Sequence, residues 1–281
     1  MMMRRMENDL SLSAMALNDD SWLKNKPINQ TIVLDMNKNF IFLPFILLIM
    51  SLTSCKSKLL EEEIIPAQVS YDSGIAQLEK GEYKKAAEHF EKVFFQHPGN
   101  EITPYAELMQ AYSLYLAGEY DESADVLDIF IKLHPRHRDI GYAYYLQALD
   151  NYVQISSVML DQSRTRYAKE GFEEIINRFP GSKYALDAAL KIDLVNDHLA
   201  GKEMLVGRYY LTKKNPVAAV KRFQTVIDQY ETTSHAEEAL YRLVETNLML
   251  GLKDEAAKYA DVLGHNYPEG HWYRQAMGML R

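Results

Sequence analysis

The chain has 281 residues, 47% hydrophobic and 25% charged, a composition that supports a packed core and excludes a disordered or fibrous polymer. Its 31 Lys and Arg stand against 39 Asp and Glu, and a net charge of −8 argues against the clustered basic surface that a phosphate backbone requires, so no nucleic-acid partner is expected. One cysteine, Cys55, rules out a disulfide within the chain.

In chain order, residues 1–35 carry no apolar period and no turn signal, and they read as a mis-called N-terminal extension with translation starting at Met36. Met36, Asn37 and Lys38 then lead into residues 40–50, eleven positions without a charge, and the small residues Ser51, Thr53 and Ser54 follow. Basic start, apolar middle and small-residue exit form the layout of a signal peptide over residues 36–54. A spanning helix needs about 20 apolar residues; this run is shorter and is interrupted by Pro44. Leu52-Thr53-Ser54-Cys55 resembles the bacterial lipobox, which implies that Cys55 is acylated and becomes the mature N-terminus. A lone cysteine is more often a small apolar residue in a buried helix, but its place at the exit of a signal favours the lipid. Lys56, where inner-membrane retention is signalled by aspartate, points to the outer membrane. Residues 55–66 read as a lipidated tether.

The remainder repeats. Gly81-Glu82-Tyr83 with Ala86, Phe90, Val93 and Pro98 returns 37 residues later as Gly118-Glu119-Tyr120 with Ser123, Leu127, Phe130 and Pro135. Ala168, Phe172, Ile175 and Pro180 form a third copy, and Ala256, Ala260, Leu263 and Pro268 a last one. Between them Ala219, Phe223 and Val226 keep the offsets but end at Glu231 in place of proline. Apolar residues three and four apart share one helical face, and the small member lets a neighbouring helix approach. Gly81, Gly118 and Gly251 stand where a left-handed residue ends the preceding helix, and each proline stops the second helix. The unit is helix, turn, helix, stop, which resembles the tetratricopeptide repeat. The expected fold is all-α, a tetratricopeptide-repeat superhelix of about five helix pairs, over residues 67–100, 101–137, 138–181, 182–232 and 233–281.

The steps between markers are 37, 45, 51 and 37 residues. The fourth unit exceeds the ordinary one by fourteen residues, close to four helical turns, which keeps a buried face in phase. One long helix from Ser182 to about Lys213 is therefore expected, with Gly201 and Gly207 inside it, followed by an N-cap at Asn215 and proline at the first turn. The eight extra residues of the third unit fall near Ser156 to Arg164, as a longer turn.

Catalytic motifs are missing: there is no Gly-rich phosphate loop, no Gly-x-Ser-x-Gly and no His-Glu-x-x-His. His134 and His137 touch a common metal only if their turn is helical, and Pro135 makes it a solvated linker. No enzyme activity, metal or cofactor is expected. Surfaces are offered instead. Tyr105, Leu108, Tyr112 and Tyr115 stripe one face of a first helix, as do Tyr71, Ile75 and Leu78 in the unit before, and Tyr142 and Tyr145 extend the wall. Such rings either pack between helices or line a groove that grips extended peptides, and periodicity does not separate the two.

The segments at residues 139–149 (DIGYAYYLQAL), 161–188 and 215–227 (NPVAAVKRFQTVI) are similar to those of the outer-membrane assembly lipoproteins of the BamD family. Lipobox, tether and five repeats with a long fourth unit complete the resemblance. It implies a lipid-anchored, periplasm-facing scaffold of the outer-membrane β-barrel assembly machinery. Its partners would be unfolded outer-membrane proteins in the amino-terminal groove, the POTRA region of a BamA-like insertase, and other assembly-machinery lipoproteins. The family's arginine at the POTRA contact matches Arg222, which otherwise reads as a surface helix residue. The linker at residues 97–104 is longer than the family's usual Tyr-Pro turn and lacks its aromatic. A different class, a periplasmic repeat lipoprotein serving cell-wall or pilus assembly, fits the repeats alone.

Overall fold

The computed structural model of the chain describes residues 64–281. Eleven α-helices and no strands occur among them: α1 (Ala67–Glu79), α2 (Tyr83–Gln96), α3 (Thr103–Ala117), α4 (Tyr120–Leu133), α5 (Ile140–Tyr152), α6 (Ser163–Arg178), α7 (Lys183–Thr212), α8 (Pro216–Gln229), α9 (Ala236–Met249), α10 (Lys253–Asn266) and α11 (His271–Leu280). Each helix packs on the next, and the first helices α1, α3, α5 and α7 also touch one another in sequence. First helices therefore line the inner side of a stacked array and second helices form its outer layer.

The repeat positions explain the packing. All fifteen small and large residues at the three fixed offsets, from Ala86, Phe90 and Val93 through Ala256, Ala260 and Leu263, are buried. Each buried large side chain contributes roughly 1.5–3 kcal/mol. The helices have weak local capping, so this burial, repeated five times, is what holds the array together.

Every second helix ends two residues before its marker. The residues that close them, His97, His134, Phe179, Tyr230 and Tyr267, share one extended-to-bridge conformation and donate N–H to the carbonyl four residues back. Tyr230 does so before Glu231, so the stop does not require proline. An aromatic or imidazole ring at this position recurs in all five units.

Gly81, Gly118 and Gly251 hold φ of 77°, 78° and 77° at the turn inside their pairs. In the fourth unit Lys214 takes the same left-handed role at φ 56°. The long helix runs Lys183–Thr212, with the Ser182 side chain accepting from the Ala185 N–H, and Asn215 caps α8 by accepting from Ala218 at 3.2 Å. Residues 153–162 form the longer turn of the third unit, held by Gln162 donating to the carbonyls of Ser157 and Leu160. The 97–104 linker is pinned: His97 bonds the Ile65 carbonyl at 2.7 Å, and the Thr103 hydroxyl donates to the His97 carbonyl at 2.5 Å. The repeat pattern did not announce α11; it lays Ala276, Trp272 and Tyr273 over the core of the fifth pair and closes the array.

Candidate partner-binding surfaces

The tyrosine stripe divides on folding. Leu108, Tyr112 and Tyr115 of α3 are buried, as are Tyr142 and Tyr145 of α5. Tyr184 of α7 continues them: its ring lies 5.9 Å from that of Tyr142 and 5.3 Å from that of Tyr145, whose hydroxyl donates to Asp187. Burial pushes the Tyr184 phenol up to about 12 and raises those of Tyr142 and Tyr145 well above the usual phenol range, so all three stay neutral. These rings seam adjacent first helices together, and their apolar bodies are not open to a ligand in this conformation. A three-and-four spacing on a helix with two apolar faces had left that choice open.

The remainder of the stripe is accessible. Tyr71, Ile75 and Leu78 of α1 are half-buried, and Tyr105 of α3 is exposed. Tyr71 packs edge-on against Phe90 at 5.4 Å, and Tyr105 edge-on against His137 at 5.1 Å. The Tyr71 phenol is raised, mainly by burial and then by Asp72 and Tyr105. Two units thus bring Tyr71 and Tyr105 to one edge of the inner face.

The HPRH turn is not helical, and its imidazoles are only partly solvated, with side chains 26% and 13% exposed. His134 Nε2 lies 3.3 Å from Glu107 Oε1, and the His137 ring stands edge-on to Phe130 at 5.3 Å. The Tyr105 and Phe130 surfaces desolvate His137 and lower its pKa. Among the described residues no group of three or more His, Cys, Asp or Glu could hold a metal ion.

At the other end, Arg222 on α8 reaches Glu203 on α7 at 3.1 Å, with its side chain 42% exposed. A longer chain of charges follows. Arg208 of α7 pairs with Glu238 of α9 at 2.9 Å, Glu238 with Arg242 at 3.1 Å, and Arg242 with Glu245 at 2.8 Å. The Arg242 guanidinium also lies over Tyr241 and Trp272, 5.2 and 5.6 Å from the ring centroids. Sequence reasoning missed Arg242, and it missed Leu186, Leu190 and Leu194, which are 67%, 71% and 62% exposed along α7. Their spacing of four was the available signal; burial on the neighbouring stripe of Ala185, Ala188 and Val195 masked it.

Cys55 and the residues Leu52, Thr53 and Ser54 lie outside the described residues. Among those described, no helix is long and apolar enough to cross a membrane.

The family described as outer membrane lipoprotein, YfiO, matches residues 64–277, which takes in the array nearly to its end. The chain is 59% identical over 231 residues to the outer membrane protein assembly factor BamD of Rickettsia prowazekii, covering 82% of this chain and 92% of that one. The chain belongs to the BamD family. The Caulobacter vibrioides BamD is 39% identical over 239 residues, 84% of this chain and 78% of that one, and a Neisseria meningitidis serogroup A BamD is 31% identical over 210 residues, 71% and 79%. Membership of the BamD family makes the chain an outer membrane protein assembly factor. The tetratricopeptide array is the scaffold on which that role is built.

Proposed function

We propose that the chain is the lipid-anchored scaffold of a β-barrel assembly machine, working by binding rather than by chemistry. Acylated Cys55 would hold the array on the outer membrane, facing the periplasm. Each buried methylene contributes roughly 0.8 kcal/mol, so two or three acyl chains anchor a water-soluble array almost permanently. The accessible edge with Tyr71, Ile75, Leu78 and Tyr105 receives unfolded outer-membrane proteins. Units four and five hold the POTRA region of a BamA-like insertase through Arg222, with other assembly-machinery lipoproteins on the remaining surfaces.

The observation that carries this reading is the placement of Arg222. Its guanidinium is half-exposed at the α7–α8 edge and held by a single carboxylate, Glu203, so a partner carboxylate can share or replace that contact. A planar, always-charged fork suits the task better than lysine.

The test is purification of the tagged full chain from membranes in mild detergent, with mass spectrometry of its N-terminus and of everything retained. Recovery of a POTRA-bearing barrel protein with acylated Cys55, and its loss on Arg222→Glu, supports the reading. Retention of that barrel protein by Arg222→Glu removes Arg222 from the interface, and its absence from the wild-type preparation overturns the scaffold role.

A further inference from the structure

The outer layer carries a second surface, distinct from the tyrosine edge and from Arg222. Helices α2 and α4 both pack on α3, and a cleft opens between them with α3 as its floor. Glu107, Gln110 and Leu114 supply that floor. On a 100° helical wheel they lie opposite Tyr105, Leu108, Tyr112 and Tyr115, so the cleft and the stripe use opposite faces of one helix.

One end of the cleft is apolar. Phe94 and Phe95 of α2 face Val126 and Ile129 of α4 around a volume of about 100 Å³. Phe95 is 69% exposed and Ile129 46%, an unusual placement for large apolar side chains. At the bottom sits Glu107, its side chain 3% exposed. His134 engages Oε1, but Oε2 is buried with no hydrogen-bond partner. A buried carboxylate oxygen left unpaired is destabilising, and burial raises this carboxyl against the opposing effect of His134.

The other end widens and is acidic. Glu88, Glu91, Glu122 and Asp125 line it, and Lys84, the only cation among the lining residues, is already taken by Glu119. Such a surface repels phosphate, anionic lipid and a second copy of a chain whose net charge is −8. It complements a cation flanked by apolar side chains.

We propose that the cleft between α2 and α4 docks a basic, apolar polypeptide segment of a partner, with an arginine or lysine donating to Glu107 Oε2 and aliphatic or aromatic neighbours seated on Phe95 and Ile129. The apolar mouth strips water from the cation, which strengthens its contact with Glu107, and the acidic end steers the segment in. The buried acceptor sets a registration point, and the exposed ring supplies contact area.

The test titrates the full chain with a fluorescently labelled twelve-residue peptide alternating Arg with Leu and Phe, read by anisotropy. Two control peptides replace Arg by Gln, or Leu and Phe by Ser. The expected result is saturable binding of the first peptide alone, weakened about tenfold or more by Glu107→Gln and by Phe95→Ser and unchanged by Arg222→Glu. Phe95 is exposed, so Phe95→Ser keeps the fold even where Glu107→Gln perturbs it. Equal binding of the Ser-containing control, or full affinity in Phe95→Ser, reduces the effect to general charge attraction and overturns the proposal. Spermidine competing at the affinity of the peptide overturns it in favour of a small-cation site, and self-association abolished by Phe95→Ser overturns it in favour of a second copy.

Discussion

The ring of Phe223 occupies the space where a Cβ on Gly207 would stand. Sixteen residues separate the two, and the same offset joins Gly74 to Phe90, whose ring carbons come within 2.7 Å of a Cβ built on Gly74. In the second unit the offset pairs Ala111 with Leu127, and in the fifth Val244 with Ala260, all buried. The first helix shrinks where the second enlarges: the slot holds Gly with Phe in units one and four, Ala with Leu in unit two and Val with Ala in unit five.

Gly207→Ala therefore overpacks its slot. Overpacking typically destabilises by about 1–3 kcal/mol, of which better helix propensity returns about 1 kcal/mol. Phe223→Leu alone opens a cavity, but in the double variant the pair becomes the Ala-Leu combination of the second unit. Urea denaturation should show the double variant losing less than the sum of the two single losses, a coupling of about 0.5 kcal/mol or more. Simple additivity would remove the slot argument.

Lys214 stands two residues before the first residue of α8, the place held by Gly81, Gly118 and Gly251 in their units. A left-handed non-glycine residue is strained by roughly 1–2 kcal/mol, while glycine gives back about 0.4–1 kcal/mol through the freedom of the unfolded chain. Lys214→Gly should stabilise by about 0.5 kcal/mol, and Lys214→Val should destabilise, both measured by the urea midpoint. Stabilisation by valine would contradict the backbone assignment.

Asp150 of α5 is pushed up to about 8 by burial, with Asp121 adding to the rise and Ser123 and Arg164 opposing it. An unfolded aspartate titrates near 3.9. Between about pH 4 and 8 the folded chain keeps a proton that the unfolded chain has lost, so stability falls as pH rises through that window and levels off above it. The slope from this one group is at most about 1.4 kcal/mol per pH unit. Asp150→Asn should raise the thermal midpoint at pH 7.5 by several degrees, and the gain should shrink toward pH 5. A gain that is the same at both pH values would mean that packing, not ionisation, sets the effect.

Much of the array could be read from residue spacing, and the reasons are physical. Ala86, Phe90 and Val93 and their four counterparts are legible because the second helices are amphipathic and their fixed offsets repeat. The long α7 follows from counting turns to the missing proline at Glu231. Binding surfaces are harder. On α3 Ala106, Leu108, Met109, Ala111, Tyr112 and Tyr115 are all buried, so an apolar stripe on a first helix is satisfied by its neighbours before any ligand arrives. Glu107 is one of 39 acidic residues, and nothing in its neighbours in sequence tells that it will meet His134 and share a cleft with Phe94 and Phe95 of α2. A site assembled from three helices leaves no local period.

Arg222 and Glu203 supply the last prediction. Both side chains are partly exposed, and a pair of this kind is worth at most about 1 kcal/mol. If Arg222 meets a partner carboxylate, Glu203 competes for the same guanidinium, and binding must displace or share it. Glu203→Gln removes the competing charge and leaves Arg222 on a helix whose packing rests on Ala219, Phe223 and Val226, all buried. The POTRA-bearing partner should then be held up to about fivefold more tightly, with the gain largest at low salt, where exposed charges are least screened. Weaker retention would mean that Glu203 orients Arg222 for its partner instead of competing with it. Unchanged retention at every salt concentration would place the contact elsewhere, and the exposed Leu186, Leu190 and Leu194 of α7 would be the next surface to alter.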